Sequence, residues 1–201
     1  MKLYFSPGAC SLSPHIILLE TGLDFSAERV DLREKKTASG DDYRAINPKG
    51  YVPALALDDG SLLTEGPAIV QYLADRVPGA NLLPPVGDAA RYRVISWLNY
   101  ISTEVHKNFS PLFNPAASED MKAHARKMLA LRIEPIAAQL GKQDYLEARF
   151  SVADAYLFTV LGWADRVGVS LADWPQLAGY RARIAARPAV QQALRAEGLL
   201  K

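Results

Sequence analysis

A single cysteine, Cys10, follows the apolar run Leu3-Tyr4-Phe5 and the break Ser6-Pro7-Gly8, at the start of a helix-like stretch from Ser11. A thiol beside a helix N-terminus meets backbone N–H groups without intrahelical partners and the positive end of the helix dipole, and both favour thiolate. Such a sulfur is a nucleophile near neutral pH. Pro14 suits the first turn, where its missing N–H would lack a partner anyway. Cys10-Ser11-Leu12-Ser13 also reads C-x-x-S, a thioredoxin-like redox spacing without its second sulfur, so disulfide chemistry here needs a thiol from outside. A lone cysteine is also compatible with a small buried hydrophobe.

Three further groups of residues join the thiol. Asn47-Pro48-Lys49-Gly50-Tyr51-Val52-Pro53-Ala54-Leu55 places a proline at the first residue of a strand. With a cis Val52–Pro53 bond, Val52 would offer its N–H and C=O to an extended ligand as if adding a strand. With a trans bond the segment is an ordinary turn, and the sequence leaves both open. In Thr64-Glu65-Gly66-Pro67-Ala68-Ile69, Gly66 reads as the N-cap and Pro67 as the first residue of a helix. Its bare amides suit a carboxylate and Glu65 suits an ammonium, together a grip for an α-amino acid; alone, Glu65 is an ordinary acid complementing the dipole. Asn99, Thr103 and His106 follow at i, i+4, i+7 and form a polar stripe, which either faces water or brings an imidazole to a thiolate as donor or cation. Tyr4 and Ser6 rank below these as donors to sulfur. His15, His106 and His124 are widely separated, so no metal site is expected.

The elements that must position these groups fall into two parts. The first reads as strand 2–5, helix about 11–22, strand near 28–32, short helix near 41–46, then two strands and a helix from Pro67 to about Val77. Asp58-Asp59-Gly60-Ser61 between Leu55-Ala56-Leu57 and Leu62-Leu63 marks a hairpin. This βαβ then ββα order describes the thioredoxin architecture. The breakers from Pro78 to Gly87 read as a linker, giving a domain over 1–78, a linker over 79–87 and a helical domain over 88–201. In the latter, Val94, Leu98, Ile101 and Val105 form one buried stripe, and Pro111 and Pro115 end or bend that helix. Ser118 caps a second helix, which Pro135 should kink. Ser151-Val152-Ala153-Asp154 is a capping box with Phe150 as its staple, and Pro175 and Pro188 open two last helices.

Over 201 residues, 23 basic and 22 acidic side chains give a net charge of +1, so no long-range field favours nucleic acid or anionic lipid. With 49% apolar residues the chain can bury real cores, and no apolar run approaches a membrane span. The N-terminus has no signal-peptide pattern and one cysteine excludes an intrachain disulfide, which together point to the cytoplasm.

Cys10 before a thioredoxin-like first helix, Asn47 to Leu55, Thr64 to Ile69, and the Ser151–Asp154 box in an all-helical second half together resemble a bacterial beta-class glutathione S-transferase. Leu98-Asn99-Tyr100-Ile101 and Glu104-Val105-His106-Lys107 are similar to that class too, so the resemblance spans essentially the whole chain. It implies a glutathione transferase fold, an α/β thioredoxin-like N-terminal domain plus an all-α C-terminal domain, in a homodimer with one glutathione site per subunit between the domains. By the same resemblance Cys10 and His106 lie near the glutathione sulfur, Lys35 near the glycine carboxylate, Val52 at the cysteinyl backbone, and Glu65 with Gly66 at the γ-glutamyl end. Asn99, Thr103 and Glu104 match positions lining that cleft, some of them across the dimer interface. Two departures stand out. Gly66 replaces a common Ser or Thr, removing a hydroxyl contact to the γ-glutamyl carboxylate, and Glu147-Ala148-Arg149 replaces a glycine-containing turn.

The implied activity is conjugation of glutathione thiolate to small hydrophobic electrophiles, such as an activated aryl halide. A second reading makes Cys10 a covalent partner in a mixed disulfide, in a thiol-disulfide oxidoreductase, peroxidase or dehalogenase. A third is a noncatalytic carrier of hydrophobic ligands.

Overall fold

The computed structural model describes residues 1–200. They form two compact units, residues 1–83 with 186–200, and residues 84–185.

The first unit is built on a five-stranded sheet. Strands β1 (Lys2–Phe5), β2 (Ser26–Asp31), β3 (Lys36–Thr37), β4 (Ala54–Ala56) and β5 (Leu62–Thr64) lie in the order β3-β2-β1-β4-β5. β1 runs parallel to β2 and antiparallel to β4, and β5 is antiparallel to β4. Helices α1 (Leu12–Thr21), α2 (Tyr43–Ile46) and α3 (Gly66–Arg76) connect them. The βαβ and ββα halves are therefore those the periodicity describes. β3 escaped it because two residues are too short for any alternation. α1 ends where Gly22 takes φ 67 and its N–H reaches Leu18 O, a left-handed cap that a side chain resists. Register aligns Tyr4 with Ala54, and Ala54 with Thr64. The end of β1, the start of β4 and the end of β5 thus share one end of the sheet.

The second unit is helical. α4 (Ala89–Tyr100) starts at Asp88, whose carboxylate accepts from Ala90 N, and continues without a break through a π-helical segment, Ile101–His106, into α5 (Lys107–Phe113). Val94, Leu98, Ile101 and Val105 are all buried, as the stripe required. α6 (Glu119–Leu140) is capped by Ser118, whose Oγ accepts from Met121 N. α7 (Val152–Leu161) is closed by the capping box, and α8 (Ala164–Val167) and α9 (Pro175–Ala185) complete the unit. α8 was not foreseen.

The last helix, α10 (Pro188–Ala196), corrects the sequence division. It packs on α1 within the first unit, where Arg187 makes two bonds to the Glu20 carboxylate, at 2.7 and 2.9 Å. Leu82 and Leu83, read as linker, are buried and belong to the first unit also. Burial of apolar side chains outweighed the proline and glycine punctuation.

Candidate active site

In the first unit, the segments after β1, before β4 and after β5 are brought to the same end of the sheet. Cys10 sits in the turn between β1 and α1, one residue before the Ser11 N-cap, and is half-buried. Ser11 does not cap the helix with its side chain. Its Oγ instead accepts from Ser6 N at 3.1 Å and donates to Ser6 O at 3.3 Å, closing the turn that carries the cysteine. The Cys10 thiol donates to Val52 O at 3.1 Å. The sulfur therefore meets the proline loop as a donor, besides any attraction from the helix start. The Val52 carbonyl, expected to face a ligand, is the acceptor.

The Val52–Pro53 bond is cis. Tyr43, which the sequence reading passed over, and Asn47, which it took only as the first residue of the segment, hold this loop. Tyr43 Oη and Asn47 Nδ2 both donate to Tyr51 O at 2.8 Å, while Asn47 Oδ1 accepts from Lys49 N. Burial pushes the Tyr43 phenol above its usual value, which keeps it a donor. The amide of Asn47, directly after the short helix and just before a proline, was the available signal. Lys35, at φ 54, donates from Nζ to Gly50 O at 2.9 Å and lies over the Tyr51 ring. Tyr4 packs against Tyr43 in the core, and the Ser6 backbone is tied to Ser11, so both serve structure.

Glu65, not Gly66, is the N-cap of α3, and Gly66 is its first residue. Glu65 holds φ 70 and ψ 114, a conformation that costs a residue with a side chain about 1–3 kcal/mol and is found at ligand clamps. Its carboxylate pairs with Lys49 Nζ at 2.8 Å, both side chains being more than half exposed. Such a surface pair is worth at most about 1 kcal/mol, so the carboxylate exchanges readily for another ammonium.

In the second unit, the structure corrects the picture of His106 on a solvated stripe. Its ring is half-buried among aromatic side chains, with Nδ1 2.7 Å from Tyr156 Oη and the ring centroid 4.6 Å from that of Trp163 in an edge-on arrangement. Burial, with a smaller push from Lys107, lowers its pKa to about 4. The imidazole is neutral at neutral pH, so of the two roles considered, donor and cation, only the donor remains. Neither Tyr156 nor Trp163 carried a signal in sequence, because both arrive from α7 and the turn after it. Asn99 and Thr103 are exposed, and Thr103 Oγ1 donates back to Asn99 O at 3.1 Å. Glu104 forms an ion pair with Arg132 of α6 at 2.8 Å. Among the described residues no cluster of His, Cys, Asp and Glu could hold a metal ion.

Known proteins match the chain across both units. The model of the glutathione S-transferase N-terminal domain matches residues 8–76 and that of the C-terminal domain residues 100–188. Glutathione S-transferase GstA of Escherichia coli O157:H7 is 52% identical over 99% of this chain and 100% of its own. A structure described as a ternary complex of BphK, a bacterial GST, is 58% identical with a TM-score of 0.98, covering 99% of this chain and 100% of that one. A sphingomonad glutathione S-transferase complexed with glutathione is 49% identical with a TM-score of 0.96, over 99% and 100%. Matched by models of one family across both units, and over nearly its whole length by relatives at about half identity, the chain belongs to the glutathione S-transferase family.

Proposed function

We propose that this family member, of the beta class, binds glutathione on its first unit and transfers the thiolate to small hydrophobic electrophiles. The observation that carries this reading is the register that sets Cys10, Val52 and Glu65–Gly66 at one end of the sheet. An extended tripeptide fits that set chemically. Glu65 takes its α-ammonium, the Gly66 backbone N–H its γ-glutamyl carboxylate, Val52 N–H its cysteinyl carbonyl, and Lys35 its glycine carboxylate. Its sulfur then meets Cys10 and the neutral donor of His106. Asn99, Thr103 and Glu104 contribute at the rim of the same site, in part across a homodimer interface, and apolar side chains of the helical unit receive the electrophile. The setting is a cytoplasmic detoxification enzyme; no described helix is long and apolar enough to cross a membrane.

Donation to sulfur matters because a thiol with an ordinary value near 8.5 is only a few per cent ionised at pH 7. Lowering it by about two units raises the reactive fraction roughly twenty-fold. Retention on immobilised glutathione with release by free glutathione, followed by conjugation of an activated aryl halide, tests the proposal. A protein that neither binds nor conjugates refutes it.

The half-exposed thiol supports a second reading, in which Cys10 thiolate attacks a glutathionyl disulfide, expelling the partner thiolate and forming a Cys10–glutathione disulfide. Intact mass after incubation with oxidised glutathione should show one adduct, absent in Cys10→Ala. That variant keeps the fold and part of any transferase activity. An adduct persisting in it would rule out Cys10 as the sulfur, since the chain has no other cysteine.

A further inference from the structure

We propose that Tyr156 is a positioning residue for the transfer chemistry: its phenol donates to His106 Nδ1 and holds the imidazole as the tautomer that carries its proton on Nε2, a neutral donor for sulfur. The role toward sulfur rests on the glutathione reading above. The tautomer itself rests on geometry within the second unit alone.

His106 Nδ1 and Tyr156 Oη are 2.7 Å apart, and two arrangements satisfy that distance. In one, the phenol donates to a bare Nδ1. In the other, Nδ1–H donates to the phenol oxygen and Nε2 is left as a base. A phenolic O–H is the better donor of the two, and an imidazole nitrogen is a better acceptor than a phenol oxygen whose lone pair is delocalised into its ring. The first arrangement prevails, and Nε2 bears the hydrogen. The same outcome makes His106 unfit as the general base for glutathione, because its one basic nitrogen is engaged.

The surroundings prevent the ring from escaping this choice. Tyr156 is 3% exposed and sits in the second turn of α7, whose start is locked by the Ser151–Asp154 box. Its ring meets the imidazole edge-on at 6.0 Å and an interplanar angle of 74°, while Trp163 meets it at 4.6 Å and 76°. Two near-perpendicular rings leave the imidazole little freedom to flip, and Phe109 and Phe113 pack in turn against Trp163. His106 closes the π-helical segment, so the backbone that presents it differs from a regular α-helix where the contact is made. Burial also excludes the doubly protonated ring at neutral pH, which would have made the tautomer immaterial.

The test uses the full chain. Long-range proton–nitrogen correlation spectra at pH 7, with no ligand added, should show His106 as one neutral tautomer protonated on Nε2. In Tyr156→Phe the spectra should report a mixture. Its kcat for glutathione conjugation should fall on the order of ten-fold, the scale of one hydrogen bond, with KM for glutathione within about two-fold of wild type. His106→Gln, whose amide nitrogen can stand where Nε2 stands, should keep more of kcat than His106→Asn, an ordering that holds even if Tyr156→Phe fails to fold. A proton on Nδ1 in the wild type, an unchanged tautomer in Tyr156→Phe, a kcat unaffected by its loss, or Asn outperforming Gln would each overturn the proposal. A wild type that ignores glutathione would sink the glutathione reading and the role toward sulfur together, while the spectra alone decide the tautomer.

Discussion

Glu65 and Gly66 show how much one residue decides. The sequence reading paired Glu65 with a ligand's ammonium, and its side chain is 68% exposed. Water screens such a pair, so Glu65→Ala should raise KM for glutathione only about two- to five-fold rather than abolish binding. Steady-state kinetics across glutathione concentrations measure this, and an unchanged KM would remove Glu65 from the γ-glutamyl site. Gly66 lacks a hydroxyl, yet a Cβ built on it would lie 3.8 Å from Pro53 Cγ, an ordinary contact, and its backbone is not left-handed. Gly66→Ser therefore fits without strain and should lower KM by about ten-fold, the low end for a bond to a charged group. The types and spacing of Cys10, Val52 and Glu65 were legible because each sits at a strand or helix end that local sequence marks. The environment of His106 was not, because its neighbours Tyr156 and Trp163 come from a distant part of the chain.

At the level of the elements, burial acts in opposite directions on two titratable groups of the second unit, one at a helix start and one within a helix. Burial pushes Asp154 up to about 6 although Leu146 N, Ser151 N, Ser151 Oγ and Tyr180 Oη all donate to it. Between about pH 4 and 6 the folded state therefore holds more protons at Asp154 than the unfolded chain, and stability falls as pH rises. His106 behaves oppositely. Its folded value of about 4 lies below the unfolded 6.5, so its contribution is lost as pH falls from about 6.5 to 4. Subtracting urea unfolding free energies of His106→Gln from those of the wild type should yield a difference that rises with pH across that interval and is flat above it. A difference independent of pH would mean that the imidazole titrates normally. The capping box was readable from Ser151 and Asp154 alone, since its partners are three residues apart. That Tyr180 would complete it was not, because α9 supplies it from 26 residues away, beyond α8.

For the molecule as a whole, the boundary between units was the least legible feature. Prolines and glycines mark where helices stop, but not which core a helix joins, and α10 joins the first. The C-terminal segment reaches close to the turn that carries Cys10, because buried Glu197 bonds His15 Nδ1 at 2.9 Å and accepts from Gly8 N at 2.8 Å. A chain ended at Ala185 would leave that turn and α1 without their cover. The three tryptophans, Trp97, Trp163 and Trp174, all lie in the second unit. We expect the shortened chain to keep native-like tryptophan emission but to lose glutathione retention. Hydrogen-exchange protection in β1 and α1 should fall by at least about a hundred-fold, as removal of roughly 3 kcal/mol of burial implies. Emission that collapses as well would show the two units to be one cooperative body.

The π-helical segment over Ile101–His106 carries a consequence for chain length. Such a segment holds one residue more per turn of hydrogen bonding than the α-helix on either side, so it is equivalent to a single-residue insertion in a longer regular helix. Deleting one residue between Ile101 and Val105 would restore a uniform α-helix without breaking it. An α-helix turns by about 100° per residue, and the wider turn is what absorbs the extra one, so the deletion would leave His106 and all of α5 facing nearly the same way relative to Val94 and Leu98. The imidazole would keep Tyr156, and Phe109 would keep the core. Loss of one codon inside α4, by contrast, would swing everything beyond it by about 100°, so the wide turn marks the one stretch of this long helix where a change of length by one residue leaves its faces in place.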